Sequence, residues 1–171
     1  MHRTQNPTAP ASDTDGLAAV TPADILRGAA RYLDLHGWTQ ELYYSGGPED
    51  AFPPACVDGA IGMAAYGRVT MIPGDETDNP GFRDYNLAAT YFNGYLADSG
   101  AYANPDEPYP FHWNDDSART KAEVITALRA AADEYDWQHA TEEQLETYAE
   151  MAYANETVPT REGFLAWLGA R

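Results

Sequence analysis

The sequence predicts a mainly α fold, a compact bundle of about six helices with at most one or two short strands. Three observations point there. Apolar residues recur at helical spacing in segment after segment. Several of those segments open on a helix-capping pattern, two of them T-x-x-E or T-x-x-Q. Little competes with helix: Val69–Ile72 suits a short strand, and Thr39–Tyr44 is short and ambiguous.

The first helix starts at TPADILRGAARYLDLHGW. Thr21 caps it, Pro22 takes the first helical position and Asp24 the third. Ile25, Leu26, Ala29, Tyr32, Leu33 and His36 form one stripe. Gly37 is a natural left-handed stop, and Trp38 falls where a contact back to Leu33 is expected. SGGPEDAFPP is a loop. A second helix is expected over Ala55–Tyr66, ending at Gly67. Asn79-Pro80 then opens a third, whose stripe is Tyr85, Ala88, Ala89, Phe92, Tyr95 and Leu96. Residues 101–119 read as a long loop closing in WNDDSAR. Thr120-Lys-Ala-Glu123 is a capping box that starts a fourth helix, with Val124, Ile125, Leu128, Ala131, Ala132 and Tyr135 inward. Thr141-Glu-Glu-Gln144 opens a fifth helix along Leu145, Tyr148, Ala149 and Ala152. Thr160 opens a sixth with Phe164, Trp167 and Leu168 inward. The expected organisation is a disordered tail over 1–20, a helical core over 21–138 and a C-terminal helical hairpin over 139–171.

A chain of 171 residues is long enough to bury one apolar core without a staple. Its single cysteine cannot close an internal disulfide, so a reducing compartment is the default. No apolar run has the length of a membrane span, and residues 1–20 lack the apolar run of a signal peptide. These features suggest a cytoplasmic protein. Formal net charge is −17, from 27 acidic and 10 basic side chains. Nine of the basic residues are arginine, Lys121 being the exception. Tyr32–Gly67, Asp84–Ala118 and Ala130–Thr160 carry no Lys or Arg. Such a surface repels nucleic acid and anionic membranes and suits a basic protein partner. Solubility alone is the plainer explanation of the same charge.

Cys56 opens the second helix, where the dipole favours a thiolate. His36 or His112 would serve as its base, with Asn114 or Asp115 orienting the imidazole. Against this, Asp58 opposes thiolate formation, and Cys56 shares a small apolar face with Gly59, Ala60, Met63 and Gly67. Free cysteine most often packs as a small hydrophobe. The histidines are scattered, with no metal-ligand spacing, so neither a metal nor another cofactor is expected. No phosphate loop, dinucleotide fingerprint or nucleophile elbow is present. WNDDSART delivers the chain into the Thr120 cap. As a binding patch it would present Trp113, Asn114, Asp115 and Arg119, with Arg119 within reach of Asp115 or Asp116.

LHGWTQ, ACVDGAIGMAAYG, YNLAATYFNGYL and WNDDSARTKAEVITALRAAA occur in that order. Over residues 22–135 the chain resembles an uncharacterised family of actinobacterial and actinophage proteins, a domain of unknown function. The shared pattern falls on Gly37, Trp38, Thr39, Gln40, Cys56, Gly59, Ala60, Trp113, Asn114, Asp115, Arg119 and Thr120. The resemblance implies no activity. It implies that GWTQ, Cys56 and the WND turn lie close together, with Trp38 and Gln40 joining the candidate binding residues. The reading that follows is a non-enzymatic interaction module for a basic partner or a mimic of a polyanion. The alternative is a thiol enzyme or small-ligand pocket built around Cys56 and the WND turn.

Overall fold

The computed structural model describes residues 19–47, 49–102 and 109–170. Most of the expected tail, and residues 103–108 of the expected loop, lie outside them. The described residues form seven α-helices and one 3-10 turn. The helices are α1 (Pro22–His36), α2 (Val57–Tyr66), α3 (Phe82–Asp98), α4 (Pro110–Asn114), α5 (Lys121–Gln138), α6 (Glu142–Ala154) and α7 (Arg161–Gly169). None is long and apolar enough to cross a membrane.

α1 is the central element, packed on α5, α2 and α3. Its predicted stripe is buried at Ile25, Leu26, Ala29, Tyr32 and Leu33, joined by Ala23 and Ala30. The Thr21 hydroxyl accepts the Asp24 N–H at 3.2 Å, while the Asp24 carboxylate accepts the Thr21 N–H at 2.9 Å. Two orphan donors of the first turn are thereby satisfied. Arg27 ties α1 to α5 through Asp133 at 2.7 Å and Asp136 at 2.6 Å. α5 opens on the predicted capping box and buries Val124, Ile125, Leu128, Ala131 and Ala132. α3 contributes Tyr85, Ala88, Phe92 and Leu96 to the same core. A separate apolar cluster joins α6 and α7 through Tyr148, Ala152 and Phe164. Leu145, expected on the inner face of α6, is 38% exposed.

Four local expectations change. α2 begins at Val57, because Ala55 is held in extended backbone by bridges to both Trp38 and Tyr44. Those isolated bridges are the β pairings among the described residues, and Val69–Ile72 forms no strand. α3 begins at Phe82, not at Pro80. Asn79 spends its carboxamide oxygen on the Gly81 N–H at 2.9 Å, closing an Asx turn one step before the helix. Finally, the segment expected to be loop contains α4, with Pro110 at its first position.

Candidate functional site

The packing of α2 fixes everything around it. Its Gly59 lies against the Tyr43 carbonyl and the Tyr44 ring, where a Cβ would collide with backbone. Gly62 lies close to the Pro73 ring and the Tyr44 hydroxyl, whose side-chain atoms stand 3.1–3.2 Å from where a Cβ would be. Both glycines cost helix stability, and close approach of the 43–44 segment is what their missing side chains permit. The Cys56 N–H donates to the Tyr43 carbonyl at 3.0 Å, and the Tyr44 hydroxyl donates to the Gly59 carbonyl at 3.1 Å.

Asn114, fully buried at the end of α4, joins the three motifs. Its carboxamide oxygen accepts from the Trp38 indole N–H at 2.7 Å and from the Val57 N–H at 3.1 Å. Its amide nitrogen donates to the Thr39 carbonyl at 3.2 Å and to the Asp115 carboxylate at 2.8 Å. All four hydrogen-bonding positions of the carboxamide are used within the chain. Around it, the Gln40 amide donates to the Asn114 and Asp116 carbonyls, both at 2.9 Å. The Asp115 carboxylate also accepts the Glu41 N–H at 2.9 Å. That bond holds Glu41 at φ 64°, a left-handed conformation unusual for a side chain of this size. Trp113 is buried, edge-on to Phe92. Arg119, expected to pair with Asp115 or Asp116, instead spreads its guanidinium over the Trp113 ring at 4.2 Å and donates Nε–H to the Trp113 carbonyl. Of the candidate binding residues, Trp38, Gln40, Trp113, Asn114, Asp115 and Arg119 therefore all meet in one knot of the fold.

Cys56 is the N-cap of α2 and wholly buried. Its sulfur accepts the Gly59 N–H at 3.5 Å. Burial and the charge of Asp58 push the thiol up to about 12, so it stays protonated at neutral pH. The candidate bases are engaged elsewhere. His36 stacks between Tyr32 at 4.7 Å and Phe52 at 5.2 Å. His112 is exposed and sits beside Tyr109 and Phe111. Among the described residues neither imidazole hydrogen-bonds the Cys56 sulfur.

A cavity of about 500 Å³ opens between α2, α3 and α4. Its wall includes Asp58, Tyr43, Tyr85, Tyr109, Phe111 and His112. Asp58 is half-buried, and among the described residues no hydrogen bond or ion pair reaches its carboxylate. Burial first, and then the nearby Asp115 charge, raise it to about 6. Its field in turn helps to push Tyr43, Tyr85 and Tyr102 up. From the sequence alone, Asp58 weighs only against a Cys56 thiolate. A signal was present: Asp58 is the one charged residue in the otherwise apolar VDGAIGMAAY of α2. What periodicity cannot supply is the partnering cavity, because that depends on α4, which lies in the segment expected to be loop.

A family of unknown function, DUF6197, matches residues 18–134. No curated protein and no solved structure matches the chain.

Proposed function

Since the chain belongs to DUF6197, a family of unknown function, we propose from its own residues that it is a non-enzymatic interaction module for a basic protein partner. The observation that carries this reading is the outer face of α6. Glu142, Glu143, Glu146 and Glu150 are exposed there, and among the described residues no Lys or Arg pairs with them. The acids nearer α1 and α7 are different: Asp133 and Asp136 hold Arg27, and Glu134 holds Arg161. Leu145, Met151 and Tyr153 lie exposed among the unpaired acids, Tyr153 at 68%. Apolar and aromatic groups within a charged rim are the composition of a recognition surface. Unpaired acids steer a basic partner towards it and set which partners are refused.

A thiol enzyme built on Cys56 is less well supported, because a buried, protonated thiol whose sulfur already caps a helix is a poor nucleophile. A ligand pocket inside the WND knot is also disfavoured, since the Asn114 carboxamide has no position left to offer. The arginine-rich basic complement suits a high-GC actinobacterial or phage source, and the lone cysteine suits a cytoplasmic setting. The test is affinity capture on the full chain at rising ionic strength. Captured proteins should be basic, and they should be lost as salt screens the contact. Replacing Glu143, Glu146 and Glu150 by Gln should weaken capture. A captured set that is neutral or acidic and indifferent to salt would remove the proposal.

A further inference from the structure

The cavity between α2, α3 and α4 has a composition that the interaction surface on α6 does not explain. It combines one carboxylate, Asp58, with the rings of Tyr43, Tyr85, Tyr109 and Phe111. Among the described lining residues, His112 is the only one able to carry positive charge. A half-buried carboxylate without a partner is costly, and proteins ordinarily pair or hydrogen-bond such groups. Here the neighbouring elements provide aromatic rings instead. Ring faces are negative and attract cations, most strongly where water is thinned out. The volume suits a small molecule or one long side chain. Asn86 and Thr90 add exposed polar groups on α3 that can meet N–H donors.

We propose that this cavity is a binding site for an organic ammonium group, with Asp58 as its counter-ion and Tyr43, Tyr85, Tyr109 and Phe111 as its aromatic walls. A metal ion fits the donor set poorly. Calcium needs six or more oxygen ligands and zinc about four donors, and among the described residues no three His, Cys, Asp or Glu side chains converge. An anion is refused by Asp58 and, beyond it, by Asp115. A neutral apolar molecule would leave the carboxylate buried and unpaired. An alkylammonium group meets each part of the site at once: its charge on Asp58, its N–H or N–CH3 groups on the rings, its carbon chain against Ile72 and Ala89. The same chemistry is carried by a free alkylamine and by a lysine side chain of a protein. The site goes beyond the proposed surface on α6, because it takes the cation whether or not a protein bears it.

Calorimetric titration of the full chain tests this with three probes: Nα-acetyl-lysine methylamide, n-butylammonium and the neutral n-pentanol. Both cations should bind saturably and the alcohol should not. Asp58→Asn should weaken the cations by about tenfold or more, the loss expected for a hydrogen-bonded charge. The Glu143→Gln, Glu146→Gln, Glu150→Gln variant should bind them as the parent does, which separates this site from the α6 surface. Asp58→Asn removes a desolvated charge, so it should fold at least as well as the parent, and a thermal melt checks that. A lysine probe that binds more tightly than butylammonium identifies a protein side chain as the source, and the reverse order identifies a free amine. Equal binding by parent and Asp58→Asn would overturn the proposal, as would equal binding of alcohol and ammonium, or no saturable binding of either cation at millimolar concentration.

Discussion

Asn114 shows how much of a fold one carboxamide can hold. Its oxygen serves an indole and the first N–H of α2, and its nitrogen serves a carbonyl and a carboxylate. Asn114→Ala leaves the Trp38 Nε1–H and the Val57 N–H without their acceptor in a buried place. Each such loss costs about 1–3 kcal/mol, so the variant should lose about 2–6 kcal/mol in denaturant unfolding. Asn114→Asp should do worse. An aspartate cannot donate to the Thr39 carbonyl, and it adds charge beside Asp115. The need for an asparagine is thus legible in the chemistry of the site, but not in the sequence. WNDD reads equally well as a turn, and nothing in its spacing says that Trp38 and Val57 arrive at the same side chain. Cys56 illustrates the converse. Its small apolar face-mates do indicate packing, and the structure adds that the sulfur caps the helix it begins.

At the scale of elements, the sequence was most informative where local rules decide the outcome. Thr120 and Thr141 each close the capping box their pattern predicts, and Thr21 caps α1 as expected, with Asp24 completing a box there as well. It was least informative where distant chain intervenes. Ala55 is withdrawn from α2 by bridges to Trp38 and Tyr44, which a helical window cannot register. The five-residue α4 is too short for a periodicity to emerge. Glycine makes the distinction testable. Gly59 is in contact with the Tyr43 backbone, whereas Gly94 of α3 is exposed with nothing near its missing side chain. Gly59→Ala should destabilise by about 1–3 kcal/mol through forced movement of the 43–44 segment. Gly94→Ala should stabilise by up to about 1 kcal/mol through helix propensity. Thermal melts of the two variants should move in opposite directions, and a shared direction would contradict the packing described for α2.

For the whole molecule, charge is the dominant quantity, and Asp58 is where it enters the interior. Its carboxyl is raised from 3.8 to about 6 in the folded chain. Folded protein therefore binds the proton more tightly than unfolded chain. Between about pH 4 and pH 6 stability falls as pH rises, and above that window the full cost is present. Asp58→Asn removes that cost. It should be more stable than the parent at pH 7.5, by up to about 3 kcal/mol for a shift of this size, and no more stable below about pH 4. Tyr43, Tyr85, Tyr102 and Cys56 face the same region and are all pushed up, so they stay neutral throughout. A stability gain that is constant from pH 4 to pH 8 would mean that Asp58 is not the group responsible.

A carboxylate that weakens its own fold at neutral pH is a natural place to look for function, and Asp58 is the counter-ion of the proposed ammonium site. NMR titration of the Asp58 carboxyl carbon, with and without saturating n-butylammonium, measures this directly. The expected midpoint is near 6 in the free chain, with a clear fall when the amine is bound, because a paired cation favours the ionised form. A midpoint in the ordinary aspartate range, unmoved by the amine, would contradict it.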